Sequence, residues 1–354
     1  MRTRCSSIAF LLCLSGIVLL NGCLDVTTTS EVHRDGSITR TIVFTGDSAE
    51  ISRGNFPVVL DSSWSRSITR STGKDKNFVL TASRVFRNVD AMNDALGGTP
   101  GKTLQFRFNL DRSFRWFFTT YRYEEVNLPF EQFTTVPVTE FLSQSEIAWV
   151  TGFMTGTIDQ KKGLATRGDS LAVEGIYNRL QEYALRNRFE PIFAAFRDGV
   201  SALNDTALTV AAVSSFKDSL FRSSRKALDQ NNVDTLRFVF RRVLRTSLAD
   251  KAWQASAQQI AEIKRKMEFE STTNSHTYNS TVVMPGLIIA TNASNVEGNT
   301  ATWKDFKDQS HYLGYTMWVE SRHVNWWAVV LASVVVVALL ALLIASLFRK
   351  RRAS

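Results

Sequence analysis

The spacing of apolar residues changes period twice along the chain, and each change marks a change of secondary structure. From Val26 the pattern has a period of two. Val26, Thr28, Ser30 and Val32 lie on one face, His33-Arg34-Asp35-Gly36 makes a turn, and Ile38, Arg40, Ile42 and Phe44 resume the alternation. Asp-Gly between alternating runs is a strong hairpin signal because both residues tolerate positive φ. A second hairpin is expected from Trp64 to Phe86 around Gly73-Lys74-Asp75-Lys76-Asn77, and a short helix from Asn88 to Leu96, ended by Gly97-Gly98. A third hairpin is expected from Thr103 to Tyr123, turning at Leu110-Asp111-Arg112-Ser113. Its second strand, Phe114 to Tyr121, is aromatic on both faces, so it is either covered twice or presents an apolar face to a partner. Pro137 to Val150 then reads as a helix with proline in its first turn and Gly152 as its stop.

Near Asp159 the period lengthens to that of a helix. Helices are predicted over Asp169 to Phe189, Pro191 to Leu203, Val210 to Leu228, Val233 to Thr246 and Leu248 to Phe269, with Pro191 as a break because its ring clashes with the preceding turn. Past Ser271 strands return: His276 to Met284, Leu287 to Thr291, Thr300 to Trp303 and Tyr312 to Glu320. The expected fold is therefore α+β. An antiparallel β-rich domain (23–158 and 271–325) carries an inserted α-helical subdomain (159–270).

Both ends carry targeting chemistry. The chain opens with MRTR, runs apolar from Cys5 to Leu20 and closes on Asn21-Gly22-Cys23, the charged, apolar, small-residue order of a secretory signal over residues 1–22. Leu20, Gly22 and Cys23 resemble the bacterial lipobox, which makes Cys23 the expected acylated first residue of the mature chain. Cleavage there removes Cys5 and Cys13, leaving neither a disulfide nor thiol chemistry to the exported protein. At the other end Trp326 to Phe348 is an uncharged apolar run of 23 residues. At 1.5 Å per residue it spans about 34 Å, enough for a hydrocarbon core of about 30 Å. Trp326 and Trp327 suit the headgroup layer at its entrance, and Arg349, Lys350, Arg351 and Arg352 form a basic tail (349–354) that the positive-inside rule assigns to the cytoplasm. The expected location is the cell membrane: single-pass, with a lipid-anchored N-terminus and the bulk of the chain extracytoplasmic.

The net charge of +9 shrinks once the ends are set aside, leaving about +3 for residues 24–325. Residues 160–270 hold 19 Lys and Arg against 13 Asp and Glu, so the positive charge sits in the helical part. There, Leu236, Val239, Phe240, Val243 and Leu244 share one helical face, while Arg237, Arg241, Arg242 and Arg245 surround the other, with Phe238 out of place among them. Such a face can meet anionic headgroups or simply be solvated. Nucleic acid is not an expected partner, since no zinc-finger spacing or RNA-binding signature is present.

Catalytic signals are sparse. The four histidines, His33, His276, His311 and His323, have no metal-ligand spacing. Gly97-Gly98-Thr99-Pro100-Gly101-Lys102 has the wrong spacing for a phosphate loop, and Glu140 and Glu146 read as surface charges of a helix. No catalytic residue, metal or cofactor is assigned.

Three stretches together carry a resemblance. Cys23-Leu24 leading into VHRDGSITRTIVF, then VVMPGLIIATNASNVEGNTATW, then the terminal apolar helix with its basic tail, resemble the LppM-type bacterial lipoproteins. The matching positions are Asp35, Gly36 and Ser37, then Pro285 and Gly286, then Gly298, Asn299, Thr300 and Trp303. The motifs cover about a third of the chain, which departs from the family by its helical insertion. The resemblance implies a compact α+β envelope domain without catalysis, associated with lipid or the cell surface. The expected function is a non-enzymatic, doubly anchored module that binds membrane lipid or scaffolds an envelope protein partner. The alternative is an envelope lipid- or glycan-modifying enzyme with dispersed carboxylates.

Overall fold

The computed structural model describes residues 24–54, 56–70, 78–98, 103–154, 167–274, 276–306 and 310–352. The signal segment, Cys23, the expected turn at Gly73–Asn77 and the expected boundary at Asp159 lie outside them. The fold is mixed α+β, two sheets face to face with a helical layer at one end.

Strands β1 (Asp25–Val32) and β2 (Ile38–Gly46) form the Asp35-Gly36 hairpin, with Val32 opposite Ile38. Burial alternates along β2, so Ile38, Arg40, Ile42 and Phe44 all point inward, as a half-buried strand requires. A short helix α1 (Ser48–Arg53) leads to β3 (Ser65–Arg70) and β4 (Phe78–Phe86), which pair antiparallel and join β2. Helix α2 (Val89–Leu96) starts where Asn88 Oδ1 accepts from the Ala91 N–H at 2.9 Å, a side-chain cap that fills one orphan donor of the first turn.

Strands β5 (Phe106–Arg115) and β6 (Phe118–Asn127) form the third hairpin. It does not turn at Leu110–Ser113: those residues pair with Thr120–Tyr123, and the ladder runs on to Arg115 opposite Phe118. The turn is Trp116-Phe117, with Trp116 at φ 28°. Polar residues at Asp111–Ser113 mark an exposed strand here, and the aromatic run spans the end of β5, the turn and the start of β6.

The helix expected from Pro137 begins later. Val138–Glu140 is a single 3-10 turn, and helix α3 (Gln144–Met154) starts behind Ser143. Ser143 Oγ accepts from Glu146 N at 3.4 Å while Glu146 Oε2 accepts from Ser143 N at 2.9 Å, a reciprocal capping box. The helix runs through Gly152.

Helix α4 (Arg167–Leu203) is continuous through Pro191, contrary to the expected break. An interior proline costs about 3 kcal/mol. Here the two halves are held by different cores: Leu180, Tyr183 and Ala184 pack with the sheets, and Phe189, Ile192, Phe193 and Phe196 pack with the helices. Burial on both sides of Pro191 outweighs its local cost. The expected helix Val210–Leu228 divides at Phe216 into α5 (Val210–Ser215) and α6 (Lys217–Asp229). Helix α7 (Val233–Leu244) follows, and the expected Leu248–Phe269 helix divides at Ser256 into α8 (Leu248–Ala255) and α9 (Ala257–Asn274). Phe189, Phe196, Phe221, Phe240 and Trp253 meet at the centre of this layer. Helices α4 and α8 cross so closely that a Cβ on Gly199 would lie 2.1 Å from the Ala252 carbonyl oxygen, so only glycine fits there.

The chain then returns to the sheets as β7 (Thr277–Val283), β8 (Leu287–Thr291), β9 (Asn295–Glu297), β10 (Thr300–Phe306), a short helix α10 (Ser310–Leu313) and β11 (Tyr315–Val324). One sheet has the order β3-β4-β2-β1-β7-β10-β9 and the other β5-β6-β11-β8. The strands before and after the helical layer therefore share both sheets. Pairing is antiparallel except for β1 beside β7, a parallel pair whose crossover is all the chain between them. Between the sheets Arg40 of β2 donates to both oxygens of Glu125 on β6, at 2.8 and 3.0 Å, with both side chains buried. The last element is α11 (Trp326–Arg352).

Candidate functional site

Strand β11 passes into α11 through one residue, Asn325. Its Oδ1 accepts from Thr119 Oγ1 at 3.0 Å, its Nδ2 donates to the Trp116 carbonyl at 2.9 Å, and its backbone N–H donates to the Phe117 carbonyl at 2.8 Å. Asn325 is nearly buried, so the start of the helix is tied to the β5–β6 tip on three sides. The Trp327 ring stacks on Phe114 with centroids 6.2 Å apart and meets Trp116 edge-on at 5.8 Å. Trp326 and Trp327, the expected entrance anchors, are both exposed. The segment Trp326–Ala345 is apolar enough to cross a membrane, with mean hydropathy 3.2. The α11 backbone continues through Arg349, Lys350, Arg351 and Arg352, whose side chains, like Cys23, lie outside those described.

Around this end, Arg322 stands 5.4 Å over Phe118, and Tyr121 donates from its hydroxyl to the Arg34 carbonyl at 2.9 Å, bringing up the β1–β2 turn. Burial and the nearby Arg34 charge lower the pKa of His323. Gly286, at φ 99°, lies so near β11 that a Cβ would come within 2.4 Å of the Arg322 carbonyl oxygen, which seats exposed Leu287 at the same end. Sequence reasoning missed Asn325, Thr119 and Leu287; its one pointer was the run aromatic on both faces.

The opposite end of the strands holds the helical layer. Tyr183 on α4 donates from its hydroxyl to the Phe133 carbonyl, and Phe133 packs on Tyr312 at 4.4 Å. Arg188 on α4 forms a buried pair with Glu270 on α9 and donates to the Tyr312 hydroxyl at 3.1 Å. These contacts lie just beyond Asn127 and just before Tyr315. The ten residues of β11, about 30 Å at 3.3 Å per residue, separate them from Val324. Leu24 is at this end too: it is buried, and its N–H donates to His276 Nδ1 at 3.4 Å. Burial pushes the His276 imidazole down to about 4, so it is the neutral acceptor that this bond requires.

The helix that carries the predicted basic face packs on the helical core beyond that seam. On α7, Val233, Leu236, Val239 and Phe240 are buried, as the periodicity requires. Arg237 and Arg241 are drawn to Asp250 on α8, at 2.7 and 3.2 Å, and Arg237 in turn holds the Asp250 carboxyl below its usual range. Arg242 and Arg245 line a shallow open surface with Phe238, Thr246 and Ser247. The structure thus brings Trp327 together with the β5–β6 tip, not with Arg237, Arg241, Arg242 and Arg245.

Other concave regions lie between the sheets and at their edge. The cavity beside Arg40 and Glu125 is lined by Val26, Phe106, Asn127, Tyr315 and Met317 and measures about 20 Å³, the scale of one water molecule rather than an acyl chain. Arg40 Nε and Asn127 Nδ2 are buried donors without a protein acceptor. A second cleft, about 440 Å³, is lined by Phe56, Pro57, Glu268, Phe269 and His276. Glu146 is held below the usual carboxylate range by the Ser143 backbone and hydroxyl donors, with Arg179 as a weaker cause. His33 Nε2 lies 2.8 Å from Thr39 Oγ1 across its hairpin. Among the described residues no three His, Cys, Asp or Glu side chains cluster as metal ligands.

No family model matches the chain, and no curated protein matches it. Among solved structures, the NMR structure of the folded domain of LppM from Mycobacterium tuberculosis aligns over 85% of this chain and 91% of that one, at 8% identity and a TM-score of 0.27. This is a weak structural resemblance that carries neither fold nor function from that protein to this chain.

Proposed function

We propose that the chain is a non-enzymatic module of a bacterial cell envelope, related to the LppM-type lipoproteins. In this reading its ectodomain binds lipid or scaffolds an envelope protein partner, held to the membrane by α11 and by an acyl group on Cys23. The observation that carries the reading is the passage of β11 into an apolar helix through the single residue Asn325, which leaves no slack between folded domain and membrane. The acyl anchor adds a geometric condition. Leu24 stands at the far end of the eight-residue β1, about 26 Å along the strand from the end that meets α11. Both anchors can enter one bilayer only if the strands lie along it rather than upright.

Protease added to spheroplasts tests the topology: the ectodomain should be digested while an epitope after Ser354 survives, and loss of the epitope with survival of the ectodomain rejects it. Alkyne-palmitate labelling should tag the exported chain and not its Cys23→Ala variant. The runner-up, an envelope-modifying enzyme, draws on the cleft that Glu268 and His276 share. A Glu268→Gln, His276→Asn variant that alters envelope lipid or glycan profiles at normal abundance would favour it.

A further inference from the structure

We propose that the β5–β6 tip is a membrane contact in its own right. Phe114, Trp116, Phe117 and Phe118 enter the headgroup layer of the bilayer that α11 crosses, beside Trp326 and Trp327. This rests on reading Trp326–Ala345 as a membrane span.

The four side chains are 56, 51, 40 and 39% exposed within five consecutive residues, a concentration of apolar surface that folded domains seldom leave to water. Their depth is set by their neighbours. Phe114 and Trp116 touch Trp327, the second residue of the helix, and Asn325 fixes the tip carbonyls to the helix start. Wherever Trp327 lies, the tip lies within a ring's breadth of it, and indoles at the ends of spanning helices lie in the headgroup layer. The backbone supports the same reading. Trp116 holds the positive φ that the first position of a two-residue hairpin turn calls for, and Asn325 Nδ2 donates to its carbonyl there.

The charges agree with a lipid occupant. Near the tip the hairpin carries Arg112 and Arg115, whereas Arg122, farther back, is paired with Glu124 and Glu320. Arg115 and Arg322 have no carboxylate partner among the described residues, which suits guanidinium groups reaching for lipid phosphate from an apolar edge. Leu287, exposed beside Arg322, extends the fringe onto the neighbouring strand.

The test replaces one residue at a time with photoreactive p-benzoylphenylalanine in the full chain, reconstituted in phosphatidylcholine–phosphatidylglycerol nanodiscs, with lipid adducts read by mass spectrometry. Position 117 reports the tip, 330 the span and 238 the exposed Phe on α7. The proposal expects lipid adducts at 117 and 330, severalfold above 238. Adducts at 330 without adducts at 117 overturn the tip contact while leaving the span intact. Chain-to-chain adducts at 117 make the patch a self-association surface and overturn it as well. Absence of adducts at 330 removes the span and the tip contact together.

Discussion

The two ends of the sandwich use the same residue types and treat them oppositely. At the helical end Arg188 lies over Phe133 and Tyr312, 5.9 and 5.8 Å from their ring centres, and its charge is met by buried Glu270. At the α11 end Arg322 lies over Phe118 near exposed aromatics, and among the described residues it forms no salt bridge. Burying a guanidinium without a counter-charge is prohibitive, so a seam inside one protein must supply its own carboxylate. An edge that leaves arginines unpaired among exposed rings is instead what the proposed lipid contact requires. The difference separates an internal joint from an external one.

The sharpest way to break this comparison is to remove the acid from a buried pair. Glu270→Ala at the seam, or Glu125→Ala between the sheets, strands a buried guanidinium and should cost about 3–5 kcal/mol in thermal or denaturant unfolding of the detergent-solubilised chain. At the open end Arg115→Ala should change stability by no more than about 0.5 kcal/mol.

Acid should loosen the helical end next. His276 is lowered from 6.5 to about 4, so the unfolded chain binds a proton that the folded chain refuses. Stability is therefore complete above pH 6.5, falls as pH drops toward about 4 and levels off below, by up to about 3 kcal/mol. His276→Asn should flatten that slope in melts recorded from pH 7 to 4, and a slope that persists unchanged assigns the acid sensitivity elsewhere.

Asn325→Ala should cost about 1–3 kcal/mol, by leaving buried partners unmet at the splice between tip and helix. Faster hydrogen exchange should be confined to residues 116–119 and 325–329, with the helical layer unchanged. The smallest effect is expected on α7: Phe238→Ala and Arg242→Ala, at exposed positions outside both cores, should each shift stability by less than about 0.5 kcal/mol.

Much of the secondary structure was legible because its signals are local. The Asp35-Gly36 hairpin, the Asn88-capped helix and the buried stripe of α7 each follow from turn chemistry, a cap or a period within a dozen residues. The errors came where packing overruled a local cue. Pro191 breaks an isolated helix, but here two cores clamp it straight through. Asp111-Arg112-Ser113 look like a turn, but their pairing with Thr120–Arg122 holds them extended. The candidate site was half legible: Trp326 and Trp327 stood out beside an apolar run, whereas Asn325 is an ordinary residue until Thr119 and Trp116 are folded against it.

By itself the sequence determined the kinds of element, their order and the apolar helix at the end, because hydrophobic period and length are properties of contiguous residues. Only the tertiary structure decided that β1 lies beside β7, that Arg40 meets Glu125 and that the aromatic tip is clamped to the start of α11. Those contacts join residues far apart in the chain. No local spacing encodes them, and each exists because folding brings its partners into one place out of water.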